Sequence, residues 1–254
     1  MHIVAIHNLP AKKESLAGAL SAALGCTAYE ALSRLRVPGS GPVIVAVSAA
    51  VEPAEELIKK LGTSGFDTFL LKEDEIESGS ARFIVRKFRF GGDELIAVSG
   101  ADESLAVDYA SVDLLIYGTS ISHGTIRETV KEKKFAPGMA LLTCGLKMTK
   151  TTKKILESTP QTREGFLFLC AGEHPSLLFR EGGLVYDSLG AALQPTRRAN
   201  FSYLIGELRR HCPDALYDDR LTTRAGQLQI LGPVLSPEEH LDAAMFLLAK
   251  FLRQ

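Results

Sequence analysis

The stretch RFIVRKFRFGGDELIAVSG, residues 82–100, decides the class of fold that this chain of 254 residues is expected to adopt. Apolar and basic residues alternate with period two in RFIVRKFRF, which predicts a strand with one solvated face. ELIAVSG predicts a second strand, and Gly91-Gly92-Asp93 predicts a turn in which glycine takes a positive φ. The runs SLAVDY and VDLLIYG continue the series, so an antiparallel, β-rich module is expected.

Residues 91–95, GGDEL, resemble the Gly-Gly-Asp-Glu-Phe signature of diguanylate cyclases, where a hairpin tip approaches the guanine nucleotide. That family also carries an upstream strand ending in a metal-binding Asp, followed by Phe-Lys and Asn, and no upstream strand here continues in that way. A metal site would therefore lack half of its ligands. We predict that Gly91, Gly92, Asp93 and Glu94 form a plain turn, and the alternative is a nucleotide-binding, cyclase-like protein.

The first 74 residues predict a small α/β module with the order strand, two helices, strand, helix, strand. HIVAIHN and PVIVAVSA are apolar runs of strand length, and Thr27-x-x-Glu30 has the spacing of a helix capping box. TAYEALSRL, EPAEELIKKL and SGFDTFLL resemble the C-terminal domain of the bacterial ribosomal stalk protein over residues 1–72. The alternative is an unrelated small α/β sandwich with the same pattern.

Residues 75–82 are acidic and then rich in Gly and Ser, which is typical of a linker, so residues 83–254 are expected to form a second module. Residues 82–217, with several short strands and the helix NFSYLIGELRRHCP, resemble bacterial pleckstrin-homology-like domains. The expected fold class is therefore α+β. A final helix after Ser236 carries a broad apolar stripe, which must be buried in this chain or against a partner, such as a second copy.

GTSISHGT, residues 118–125, follows an apolar strand and precedes Thr125-x-x-Glu128, which has capping-box spacing. The backbone amides of a helix N-terminus can hold an anion, so Thr119, Ser120 and Gly124 are candidate contacts. The stretch lacks the Lys of a P-loop and the glycine spacing of a dinucleotide-binding fold. A solvent-facing loop is the alternative.

Lysines dominate the stretch from Arg127 to Lys154, and the segment KMTKTTKK within it has no apolar face. Such a stretch can contact the phosphates of nucleic acid or of anionic lipid. It lacks the interleaved aromatic residues that stack single-stranded bases. A solvated loop or an extended hairpin is the alternative. The candidate contacts are Lys147, Lys150, Lys153 and Lys154.

Composition points away from catalysis and secretion. Lys plus Arg number 29 and Asp plus Glu number 30, so no global field favours a polyanion. The four cysteines (Cys26, Cys144, Cys170 and Cys212) are far apart and predict buried thiols rather than zinc ligands or disulfides. Asp218 and Asp219 predict a turn, linked to Arg220 by a salt bridge. With no cofactor, metal or catalytic set indicated, we expect a cytoplasmic, non-enzymatic interaction or regulatory protein of bacterial type, with protein partners.

Overall fold

The computed structural model describes residues 1–10, 13–36, 40–77, 82–123, 126–135, 149–158 and 161–254. The chain has the α+β composition that the sequence predicts. Its first part contains β1 (His2–His7), α1 (Glu14–Leu24), α2 (Ala28–Leu35), β2 (Val43–Ser48), α3 (Val51–Thr63), β3 (Asp67–Lys72) and α4 (Glu73–Glu77). Up to β3 this is the predicted order of elements.

Strand β1 lies between β2 and β3 in a three-stranded sheet and pairs antiparallel with both. Its side chains alternate between two hydrophobic clusters. Val4 and Ile6 pack in the cluster formed with α1, α2 and α3, whereas Ile3 and Ala5 belong to a cluster on the opposite face. Both faces of the sheet are covered, which explains why the inner positions of β1 and β2 are apolar.

The second part of the chain contains β4 (Phe83–Phe90), β5 (Glu94–Ser99), β6 (Ser104–Asp108), β7 (Val112–His123), β8 (Ile126–Phe135), β9 (Thr149–Ser158), β10 (Gln161–Ala171), β11 (Leu177–Arg180), α5 (Arg197–His211), β12 (Leu216–Leu221), α6 (Arg224–Leu231) and α7 (Pro237–Leu252). Seven of these strands form one sheet with the order β12-β7-β10-β11-β4-β5-β6. Helix α5 precedes β12 in the chain, and α6 and α7 follow it.

This sheet is mixed, which corrects the prediction of an antiparallel module. The hairpins β4–β5 and β5–β6 are antiparallel as expected, but β11 runs parallel to β4 and β12 runs parallel to β7. Strand β12 includes Asp218 and Asp219, where the sequence predicts a turn. A short polar strand at the edge of a sheet lacks the apolar run on which the sequence argument depends.

Helix α7 buries its apolar stripe within the chain. Leu247 and Leu248 are fully buried in a cluster that also contains Ile3 and Ile44 of the first sheet and Phe168 of the second. The helix therefore packs against both sheets. An oligomer formed through this helix remains a prediction, and it would have to use a surface other than the stripe that suggested it.

The predicted linker begins in an ordered element. Residues 73–77 form α4, and Ile76 packs against the cluster shared by the two sheets. Residues 78–81 lie outside the described part of the chain. Within the described ranges, no helix has both the length and the apolar character needed to cross a membrane.

Residues 121–163 form a compact unit of their own, separate from the unit made by residues 1–120 and 164–254. Strands β8 and β9 pair antiparallel over ten positions, from Ile126 opposite Ser158 to Phe135 opposite Thr149. The helix start predicted at Thr125-x-x-Glu128 is wrong, because Glu128 lies within β8. Capping-box spacing is a local signal, and strand pairing overrides it here.

Candidate functional site

The two-stranded ribbon of β8 and β9 places lysines opposite one another. Lys131 is in register with Lys153, and Lys134 is in register with Lys150. Like charges at directly opposed positions destabilise an isolated strand pair. The ribbon is therefore a basic element in which two pairs of lysine positions oppose each other.

Basic positions occur on both faces of the ribbon. Alternate positions of a strand share a face, and partners in register share it too, so positions 131, 133 and 153 fall on one face. By the same rule, positions 134, 150 and 154 fall on the other. The twenty residues of β8 and β9 include seven Lys or Arg and three Glu. Of the predicted contacts, Lys150, Lys153 and Lys154 lie in this ribbon, and Lys147 lies outside the described residues.

The turn at Gly91 to Glu94 connects β4 and β5 as predicted, but its backbone differs from the prediction. The Gly91 amide donates to the Glu94 carbonyl at 2.8 Å, and Phe90 is in register with Leu95. Neither Gly91 nor Gly92 takes a positive φ. In the neighbouring turn the positive φ belongs to Asp102, at 60°, rather than to Gly100.

A cleft of about 320 Å³ borders this turn. Gly92 and Asp93 line it together with Tyr109 and His211. The His211 ring stacks on Tyr109 with centroids 4.4 Å apart and on Phe90 at 5.8 Å. The end of α5 is thus held between aromatic side chains of the second sheet, a contact that the sequence patterns did not indicate.

Two of the groups at this cleft, the Tyr109 phenol and the Cys212 thiol, stay protonated near neutral pH. Burial raises the pKa of Tyr109 to about 12, with a further contribution from neighbouring Cys212 and acidic groups. Burial also raises the pKa of the Cys212 thiol to about 11. In the ranges that the structure describes, no three His, Cys, Asp or Glu side chains are grouped to hold a metal ion. Gly92 and Asp93 border a cleft, and the cyclase-like alternative stays a prediction.

The predicted anion contacts at residues 118–125 do not surround a helix terminus. Thr119 lies in β7, where its hydroxyl donates to the Thr222 carbonyl at 2.9 Å, and the Ser120 hydroxyl donates to the Glu164 carbonyl at 3.3 Å. Both hydroxyls therefore link neighbouring strands of the second sheet or its loops. Gly124 lies outside the described residues. The anion-binding hypothesis for this stretch has lost its basis, because it required a helix N-terminus.

The sequence also makes predictions for Arg220 and for the four cysteines. The salt link of Arg220 to Asp218 is confirmed, with Nε and Oδ2 2.8 Å apart. Cys170 and Cys212 are buried free thiols as predicted, Cys26 is partly exposed, and Cys144 lies outside the described residues.

No family model matches the chain, and no curated protein or solved structure gives a significant match.

Sequence patterns also missed a groove of about 420 Å³ between α2 and α6. Tyr29 and Leu228 line it, and both are large apolar side chains exposed to solvent. The available signal was Tyr29, which sits on the exposed first turn of a capped helix. Its significance could not be read from the sequence, because the opposite wall comes from a helix almost two hundred residues further along the chain.

Proposed function

We propose that this protein binds double-stranded nucleic acid through the ribbon of β8 and β9 and has no catalytic role of its own. The observation that supports this most strongly is the opposition of lysines in register, Lys131 to Lys153 and Lys134 to Lys150. A polyanion lying along the ribbon neutralises charges that otherwise repel within it.

The dimensions of the ribbon suit a duplex. Ten residues of an antiparallel strand span about 34 Å, close to one helical turn of DNA. The major groove of B-form DNA, about 12 Å wide, admits a two-stranded β-ribbon. Phosphates line both walls of that groove, which matches basic positions on both faces of the ribbon.

Other polyanions fit less well. Single-stranded binding depends on aromatic stacking, and Phe135 is the sole aromatic residue in β8 and β9. A surface that binds a membrane needs an apolar face to bury and a separate polar face. Here both faces carry lysine positions, so neither face is free of charge.

The charge distribution supports the same assignment. Residues 121–163 hold nine Lys or Arg and three Glu, whereas the rest of the chain holds 20 Lys or Arg and 27 Asp or Glu. A polyanion is therefore attracted to the ribbon and repelled by the remainder, which orients the encounter. The resemblances to the stalk-protein and pleckstrin-like domains remain proposals about architecture. If they hold, the larger unit binds other proteins and has a regulatory role.

The test is a titration of the full chain with a fluorescent duplex of about 30 base pairs at increasing salt. If four lysines contact phosphates, log K falls with log salt with a slope of about −3.6. The double substitution Lys131→Gln, Lys153→Gln is expected to make that slope shallower by about two. The matched control, Lys59→Gln with Lys60→Gln, removes the same charge from exposed positions of α3 and is expected to leave the slope nearly unchanged.

Three results would overturn the proposal. One is the absence of binding at low salt. A second is equal loss of affinity in the ribbon variant and in the α3 control. The third is binding to vesicles that contain phosphatidylserine without binding to the duplex, which would assign the ribbon to anionic lipid instead.

A further inference from the structure

We infer that the groove between α2 and α6 is a docking site for a peptide segment of another protein, one that carries carboxylates next to an apolar side chain. This inference is independent of the ribbon. The groove is formed within the larger unit, with Tyr29, Ser33 and Arg34 from α2 on one wall and Leu228 and Gln229 from α6 on the other.

Both walls are held rigidly. The capping box of α2 is complete, because the Glu30 amide donates to Thr27 Oγ1 at 3.2 Å and the Thr27 amide donates to Glu30 Oε2 at 2.8 Å. On the other wall, Gly232 at the end of α6 lies so close to the Ile44 carbonyl oxygen that no Cβ fits between them. The buried side chain of Val43 lines the groove between the two walls.

Exposed apolar side chains are concentrated at the groove. Tyr29 is 79% exposed, and Leu228 is 42% exposed. Val234, which follows the lining residue Pro233, is 43% exposed. Two of the six large apolar side chains that are exposed in the described part of the chain thus line one groove, and a third, Val234, follows a lining residue in sequence. Apolar surface concentrated in this way is typical of an interaction site rather than of scattered surface residues.

The charges at the groove select an anionic partner. Arg34 and Arg36 line it, and Arg34 Nη1 donates to the Val45 carbonyl at 3.2 Å, which fixes that guanidinium at the wall. The single carboxylate of the lining, Glu30, is held by the backbone amide and hydroxyl of Thr27. Two arginines therefore line the groove against one carboxylate, which is held by Thr27 and interacts electrostatically with Arg34. The net charge of the lining is positive, and an incoming carboxylate can form charge-assisted hydrogen bonds with the arginines.

The same charges disfavour a second copy of this chain. In a two-fold symmetric dimer the same patch meets itself, so a positive patch would oppose a positive patch. A segment from a different protein avoids this repulsion. Its apolar side chain would cover Leu228 and Tyr29, and its carboxylates would face Arg34 and Arg36.

The test is selection of a displayed library of random short peptides on the immobilised full chain. A parallel selection uses the groove variant Leu228→Ser, Arg36→Glu. A control variant, Leu193→Ser with Arg198→Glu, changes an exposed leucine and an exposed arginine elsewhere. We expect peptides with Asp or Glu beside Leu, Ile, Phe or Trp to be enriched on the wild type and on the control. Affinity for the groove variant should be lower by about tenfold or more.

The inference is overturned if no peptide is enriched on the wild type, if the same peptides are enriched equally on the groove variant, or if the enriched peptides lack carboxylates. Sedimentation of the wild type provides a further check. Self-association that disappears in Leu228→Ser, Arg36→Glu would assign the groove to a second copy of the chain instead. Circular dichroism of both variants establishes that each is folded before selection.

Discussion

Gly91 and Gly92 are adjacent in the β4–β5 turn but have different surroundings. A Cβ at Gly91 would lie 2.9 Å from the Glu94 carbonyl oxygen, whereas a Cβ at Gly92 would meet nothing within 4 Å. Neither residue has a positive φ. We expect Gly91→Ala to lower the free energy of unfolding by about 1–3 kcal/mol through overpacking against backbone. Gly92→Ala should change it by less than about 1 kcal/mol, with a gain expected from the less flexible unfolded chain.

Urea denaturation of the two alanine variants beside the wild type measures this difference. Each variant is the other's control, because both add one methyl group to the same turn. If Gly92→Ala lowered the free energy of unfolding more than Gly91→Ala, the turn would require a positive φ at residue 92, as the sequence alone predicts.

At the scale of single residues, the sequence predicted burial better than it predicted contacts. In α5, Phe201, Leu204 and Leu208 recur at helical spacing, and all three are buried. His211 ends the same helix, but its stacking between Phe90 and Tyr109 could not be foreseen. Periodicity shows which face of a helix is apolar, whereas a stacking partner is set by tertiary structure.

At the scale of elements, α7 connects the two sheets together with α6, which contacts both β2 and β12. Arg253, which follows the last residue of α7, forms a salt bridge with Asp113 of β7 at 2.7 Å, and Lys250 of the helix donates to the Leu70 carbonyl of β3 at 3.2 Å. Leu248 of the same helix is fully buried in the cluster that contains residues of both sheets. Leu248→Ala is expected to lower the free energy of unfolding by about 2–5 kcal/mol, because it leaves a cavity in the shared cluster.

Hydrogen exchange measured strand by strand can test this expectation. If the sheets unfold together, amides of β1 and β10 lose protection by the same amount in Leu248→Ala. Leu193→Ala, at a side chain that is 52% exposed, is the control and should cost less than about 0.5 kcal/mol. Unchanged protection in β1 would instead support two modules that unfold separately, as the predicted linker at residues 75–82 implies.

Elements with a strong apolar period were predicted, and polar ones were not. The order from β1 to β3 follows from runs such as PVIVAVSA and from the caps of α2. Strand β12, with the sequence LYDDRL, has too little apolar character to be distinguished from a turn. Its position parallel to β7 depends on pairing between segments about a hundred residues apart, which no local pattern encodes.

At the scale of the whole molecule, the chain consists of a larger unit and a basic ribbon. The segment that contains the ribbon, residues 121–163, interrupts the sequence of the larger unit where β7 ends and β10 begins. Strands β7 and β10 are adjacent in the seven-stranded sheet, and Ser120 hydrogen bonds to Glu164 at the point where the ribbon unit begins and ends. A lysine-rich stretch was visible in the sequence. The register in which β8 pairs with β9 could not be read from the sequence, because no local pattern shows which residue of one strand lies opposite which residue of the other.

This arrangement predicts that residues 121–163 can be removed. Replacing them with a short Gly-rich connection should keep β7 and β10 adjacent, since Ser120 Oγ lies 3.3 Å from the Glu164 carbonyl oxygen. We expect the melting temperature to change by no more than about 2–4 °C, which corresponds to about 1 kcal/mol for a unit of this size. Duplex binding should disappear, because the remaining chain has 20 Lys or Arg against 27 Asp or Glu. Calorimetry and the duplex titration measure the two outcomes separately. Loss of folding would mean that the ribbon supports the larger unit, and retained duplex binding would move the nucleic-acid site away from β8 and β9.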